Sequence, residues 1–187
     1  FLPSAFATAG GSFDEGWRFY KGDATGAEQV SFDDSQWRKL DLPHDWSIEG
    51  PFAQTNKTGG AGAWLPSGVG WYRKPFTLST EQKGKRVFVE FDGVMQNCEV
   101  WINGVSLGKR PFGYVSFGYD LTPHIKFGKG ETNVIVVRAD TSAQPASRWY
   151  SGAGIYRHVR LTVNNLFYIE PNGIFVTTPS VNADQAI

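Results

Sequence analysis

Two stretches concentrate the residue types that could do chemistry. Ser147-Arg-Trp-Tyr-Ser-Gly-Ala-Gly-Ile-Tyr-Arg-His-Val-Arg-Leu161 is a polar, aromatic, glycine-bearing loop that runs straight into an alternating strand. Asp41-Leu-Pro-His-Asp-Trp46 has the same make-up. Such loops can hold an aromatic ring and a charged group against a polar ligand, with the strand behind them as a rigid base. That is the chemistry of saccharide recognition: an apolar ring face on an aromatic plate, and hydroxyls on charged or amide groups. It requires the two loops to meet in space.

Other chemistries fail on spacing. There is no Gly-x-Ser-x-Gly elbow, and no Ser/His/Asp order can be assigned. Glycoside hydrolysis needs two facing carboxylates. Asp45, Glu49, Asp92, Glu99 and Asp140 are available, but nothing in their positions pairs any two of them. Asp33-Asp34 reads as a solvated turn. The glycine-rich run Gly59–Gly70 lacks a Gly-Lys-Ser/Thr and the flanking strand and helix that a phosphate or dinucleotide loop requires. It reads as a surface loop crossing one end of a sandwich, or as a rim over a neighbouring domain. The 3 His are scattered without metal-ligand spacing, so neither a metal nor any other cofactor is expected. Cys98 is the only cysteine, so no intramolecular disulfide can form, and its apolar strand makes it a buried, inert thiol. Lys+Arg and Asp+Glu total 18 each. A neutral chain has no electrostatic reason to seek nucleic acid or an anionic membrane, and no apolar run approaches the length of a membrane span.

The elements that must position the loops are strands. Arg86–Phe91 alternates, with Val87, Val89 and Phe91 on one face. Cys98–Ile102 is followed by Asn103-Gly104, a type I′ hairpin signal, and then by Val105–Leu107. Asn133–Ala139 is near-continuously apolar and is expected to be central. Tyr156–Val163 alternates. Trp71–Leu78 carries Pro75, which predicts an edge or a bulge. Single helical turns are expected near Asp33–Trp37 and Asp120–His124, the latter with an Asp cap. Phe167–Pro179 reads as two more short strands. With 22 Gly and 10 Pro punctuating short strands, the fold class is all-β, a sandwich or jelly roll.

Seven segments then carry a family resemblance: Gly16-Trp-Arg-Phe19, Leu42-Pro-His-Asp-Trp46, Gly70-Trp-Tyr-Arg-Lys74, Phe91-Asp-Gly-Val94, Val100-Trp-Ile-Asn-Gly104, Phe112-Gly-Tyr114 and Gly154-Ile-Tyr-Arg157. In this order they resemble the N-terminal sugar-binding domain of glycoside hydrolase family two, as in bacterial β-galactosidases and, more distantly, β-glucuronidases and β-mannosidases. The resemblance implies a jelly-roll β-sandwich, galactose-binding-domain-like, over residues 13–164. It implies an N-terminal segment over 1–12 and a linker with the truncated start of an immunoglobulin-like domain over 165–187. The family's catalytic glutamates lie in a TIM barrel, so no residue here inherits a catalytic role. The loops matching Pro43-His-Asp-Trp46 and Ser147-Arg-Trp-Tyr150 imply substrate contacts. Asp45 would accept from sugar hydroxyls. Arg148, which stands where several relatives have Asp, would donate to the sugar or pair with Asp45. Trp46 and Trp149 are the stacking candidates, with core burial as the alternative for each. His44 has a ligand role or a hydrogen bond within its own loop. Arg157 is read as a loop anchor that bonds carbonyls.

The implied function is substrate positioning for a retaining exo-β-glycosidase, a β-galactosidase acting on terminal β-galactosides. The implied partners are carbohydrate and downstream domains of the same polypeptide, and the oligomeric state stays open, a homo-oligomeric parent included. The alternatives are a free-standing carbohydrate-binding module, a β-glucuronidase or β-mannosidase parent, and a purely structural domain. Ala5-Phe-Ala7 fits a small-x-small cleavage pattern and favours a periplasmic or secreted protein, with the cytoplasm still open. The absence of an initiator Met is expected of a piece of something longer.

Overall fold

The computed structural model describes residues 10–170 and 173–184. The Ala5-Phe-Ala7 pattern lies outside the described residues. Ten strands follow in order: β1 (Gly10–Ser12), β2 (Trp17–Lys21), β3 (Arg38–Leu40), β4 (Val69–Phe76), β5 (Arg86–Phe91), β6 (Cys98–Ile102), β7 (Val105–Arg110), β8 (Phe117–Asp120), β9 (Asn133–Asp140) and β10 (Val159–Asn164). They form two antiparallel sheets, ordered β1-β10-β5-β8 and β3-β2-β4-β9-β6-β7. Among the described residues helix is confined to three single 3-10 turns, Gly60–Gly62, Thr80–Gln82 and Thr122–His124. This is an all-β sandwich of jelly-roll type.

The core is the space between the sheets. Val87, Val89 and Phe91 of β5 fill it from one side; Val100 and Ile102 of β6, with Ile135, Val137 and Ala139 of β9, fill it from the other. Alternation puts these residues inward because successive side chains of a strand point to opposite faces. β9 is apolar at nearly every position because both of its faces are covered. Val134 and Val136 face a second cluster in which Ala24, Ala27 and Trp37 cap the outside of the larger sheet. β9 is also central, between β4 and β6.

Several local expectations meet their physical outcome here. Asn103 and Gly104 both adopt positive φ, 50° and 82°, and Ile102 pairs with Val105 across the turn. Pro75 sits inside β4, which is a central strand. β2 pairs with β4 only over Gly70–Arg73, so Pro75 lies beyond that ladder, where its missing N–H leaves no bond unmade on that side. Thr122 N–H donates to Asp120 Oδ1 at 2.9 Å, so the acidic side chain does stand at the head of that turn. Residues 33–37 form a turn and not a helix.

Two readings are corrected. Asp33 is exposed, but Asp34 is buried and bonds Arg73 Nε at 2.9 Å and Arg18 as well. Arg73 is 2% exposed, and a buried guanidinium needs such a partner. Phe167–Pro179 forms no named strand among the described residues. Alternation there is real, but Phe167 and Phe175 are exposed, and no named strand pairs with the segment among the described residues.

One end of the sandwich gathers the loops of interest. Val69 lies opposite Asp140, Cys98 opposite Arg110, and Phe91 opposite both Val159 and Phe117. The loops before β4, after β5, between β7 and β8, and between β9 and β10 therefore emerge at the same rim.

Candidate sugar-binding rim

The two loops singled out in the sequence do meet. His44 N–H donates to Ile155 O at 2.8 Å and Trp46 N–H to Ala153 O at 3.1 Å. On the other side, Met95 and Gly154 exchange backbone bonds of 2.9 and 2.7 Å. A short ribbon thus runs across the rim: residues 44–46, then 153–155, then Met95. Gly154 makes this close approach possible. Its φ is +107°, and a Cβ there would lie 2.1 Å from the Tyr72 hydroxyl.

Burial alternates along residues 42–46: Leu42, His44 and Trp46 are buried, Pro43 is exposed and Asp45 is half-buried. This corrects two of the expected ligand contacts. Trp46 is 1% exposed and belongs to the main core, so it offers no face to a ligand. Its indole stands against Gly70, where a Cβ would fall 2.6 Å from Nε1. His44 is also buried, and its ring is spent on internal bonds: Nδ1 lies 2.9 Å from the Tyr72 hydroxyl and Nε2 lies 3.1 Å from Glu49 Oε1. Burial pulls the His44 pKa below the ordinary value, with Glu49 opposing in part. The ring is therefore neutral near pH 7. Nε2 stands between Glu49 Oε1 and Arg38 Nη2, each at 3.1 Å, and the ring tautomer decides which of the two it bonds. Glu49 in turn accepts a forked ion pair from Arg38, at 2.8 and 2.5 Å, which holds its carboxyl below the usual range. His44 thus fixes the path of the Asp45 loop and does not touch a ligand.

Asp45 is held by three donors. Oδ1 accepts from Ser47 N–H at 3.0 Å and Ala153 N–H at 2.9 Å. Oδ2 accepts from the Tyr150 hydroxyl. Burial, then the Asp45 carboxylate, push the Tyr150 pKa well above its ordinary value, so Tyr150 stays a protonated donor. The expected Asp45–Arg148 salt bridge does not form. The partner that Asp45 takes from this loop is Tyr150, and Arg148 makes no ion pair among the described residues.

Arg148 instead lines an open cleft of about 540 Å³, together with Met95, Gln96, Phe112, Tyr114 and Trp149. Trp149 is 60% exposed and anchored at one edge, its Nε1 donating to the Tyr114 hydroxyl at 3.0 Å. Phe112 and Tyr114 meet edge to face at 5.5 Å. No Asp or Glu lines this cleft, and Arg148 is its one charge. On the opposite side of Trp149, Tyr150 faces a narrow recess lined by Ser47, Thr58, Ser67, Thr141 and Gln144. The long Gly-rich loop supplies part of this wall and is tied down where Ser47 Oγ donates to Pro66 O at 2.6 Å.

Sequence reasoning overlooked Tyr150, Tyr114, Phe112 and Gln96 as rim residues. Phe112-Gly-Tyr114 was visible as a motif, but nothing in its spacing tied it to residue 149. Apolar and polar residues do not alternate in Leu42-Pro-His-Asp-Trp46, so no periodicity put His44 and Trp46 on one buried face. Arg157 is exposed and anchors no carbonyl among the described contacts. No group of three or more His, Cys, Asp or Glu among the described residues could hold a metal ion.

A jelly roll with a loop-built aromatic rim defines the class: a β-sandwich domain of the kind found within longer glycosidases. The chain belongs to glycosyl hydrolases family 2, and residues 12–164 match that family's sugar binding domain. It is 54% identical over 175 residues to the β-galactosidase BoGH2A of Bacteroides ovatus, covering 94% of this chain and 20% of that protein. It is 35% identical over 165 residues to a β-glucuronidase of Formosa agariphila, covering 80% and 16%. A crystal structure of a family 2 member from Bacteroides cellulosilyticus superposes with a TM-score of 0.89 at 43% identity, over 95% of this chain and 23% of that one. The chain thus spans about a fifth of the length of the relatives it matches.

Proposed function

We propose that this domain positions the substrate of a retaining exo-β-glycosidase, a β-galactosidase acting on terminal β-galactosides. Asp45 accepts from sugar hydroxyls, Arg148 donates to them, and Trp149 presents an apolar plate. The catalytic carboxylates come from a barrel elsewhere in the polypeptide, since no two carboxylates face each other across this cleft. The observation that carries the reading is the ribbon joining residues 44–46 to 153–155. It holds the half-buried Asp45 carboxylate against the loop whose Arg148 and Trp149 line the aromatic cleft, and rigid placement is what substrate positioning requires. The 54% identity to a β-galactosidase supports the choice of sugar. The test is hydrolysis of p-nitrophenyl β-galactoside by the full polypeptide and by its Asp45→Ala variant. A variant as active as the parent would refute the positioning role.

A second reading is favoured by one feature. Arg148 is a cation without an acidic neighbour in its cleft, which suits a β-glucuronide carboxylate. A full polypeptide that cleaves p-nitrophenyl β-glucuronide faster than the galactoside, and loses that preference on Arg148→Gln, would establish it. We place the protein in the periplasm or outside the cell, to be checked by fractionation.

A further inference from the structure

We propose that Tyr150 is a positioning residue: its hydroxyl clamps the Asp45 carboxylate so that a single Oδ2 lone pair, in a set direction, is left for one substrate hydroxyl. The inference rests on the reading of Asp45 as a substrate acceptor. A carboxylate offers about four acceptor positions. Two on Oδ1 are taken by the Ser47 and Ala153 N–H groups, and one on Oδ2 by Tyr150. Gly152 has φ +81° and leaves beside Oδ2 a space that a Cβ, 2.8 Å away, would fill. The two backbone bonds hold Oδ1; the tyrosine hydroxyl fixes how the carboxylate plane turns about it. A hydroxyl bonded to an ionised acceptor is also stronger than a neutral pair.

The triplet Arg148-Trp149-Tyr150 therefore divides its labour. Arg148 and Trp149 face the aromatic cleft, whereas Tyr150 turns to the other side of the loop and onto Asp45. Its ring is no third plate. It is a clamp that couples the 147–151 loop to the 43–47 loop through side chains, above the backbone ribbon that already joins them.

The experiment uses the full polypeptide and p-nitrophenyl β-galactoside or β-glucuronide, whichever is cleaved faster, with the monodeoxy analogues of that sugar. Asp45→Asn, Tyr150→Phe and the double variant are compared with the parent. Tyr150→Phe is expected to lower kcat/KM roughly 10- to 100-fold with at most a small drop in the thermal midpoint, because small misplacements at a site are costly in rate. On the one deoxy analogue that lacks the hydroxyl bonded by Asp45, Tyr150→Phe is expected to add no further loss, and the double variant is expected to be no worse than Asp45→Asn. p-Aminophenylalanine at position 150, which restores a donor on the same ring, is expected to recover activity and covers the case in which the Phe variant does not fold. Equal losses on every deoxy analogue, or an unaffected Tyr150→Phe beside an impaired Asp45→Asn, would overturn the clamp alone. An Asp45→Asn variant with parental activity would overturn the underlying reading of Asp45.

Discussion

Gly154 and Tyr72 share one space: a Cβ on the glycine would lie 2.1 Å from the tyrosine hydroxyl. Tyr72 is itself fully buried, and burial pushes its pKa well up, so it stays neutral and keeps its bond to His44. The ribbon that carries Asp45 is laid down on this contact. Gly154→Ala combines an overlap with a φ of +107° that L-residues rarely adopt. It is expected to destabilise the protein by about 3 kcal/mol or more, read as a lower urea midpoint in tryptophan fluorescence.

Asp45 serves both stability and recognition, and two substitutions separate the roles. Asp45→Ala leaves the Ser47 and Ala153 N–H groups without their acceptor, a loss of roughly 1–3 kcal/mol. Asp45→Asn can keep an oxygen toward both N–H groups and should unfold close to the parent. Both are expected to lower kcat/KM, because the amide turns its donor side toward Tyr150 and the substrate. Thermal midpoints measured beside kinetics would show the split.

Trp46 and Trp149 should respond in opposite ways. Trp46→Ala empties a core position and is expected to cost about 3–5 kcal/mol. Trp149→Ala removes a largely exposed ring and is expected to change stability by less than about 0.5 kcal/mol. Its effect should fall on KM. Chemical denaturation of both variants, with Michaelis kinetics for Trp149→Ala, checks the pair.

His44 predicts a pH dependence of stability. Its folded pKa is depressed, by burial first, so the unfolded chain binds the proton more readily. The stabilisation is complete above the unfolded value of about 6.5 and is lost as pH falls below it. His44→Gln is expected to flatten that part of the profile. Urea midpoints taken from pH 8 to pH 5 would show the slope in the parent and its reduction in the variant.

Much of the scaffold was legible without coordinates, and the reasons are local. Val87, Val89 and Phe91 alternate because one face of β5 is core, and Asn103-Gly104 turns because both residues tolerate positive φ. Cys98 is buried with its pKa raised to about 12, as an apolar strand around a thiol dictates. The Phe167–Pro179 segment shows the limit of the same logic. Alternation marks a residue pattern suited to a strand, but a strand forms only where another strand offers hydrogen bonds.

The sequence by itself determined six of the ten strands, the main hairpin and the two loops worth watching, because periodicity and turn chemistry are properties of neighbouring residues. Which side chains of those loops face outward, and what they bond, depended on contacts between residues 35 to 105 positions apart. Tyr150 against Asp45, Trp149 against Tyr114 and Gly154 beneath Tyr72 arise from the register of β5, β9 and β10. No local rule encodes that register, so only the tertiary structure could replace the anticipated Asp45–Arg148 pair with Asp45–Tyr150 and send Trp46 into the core.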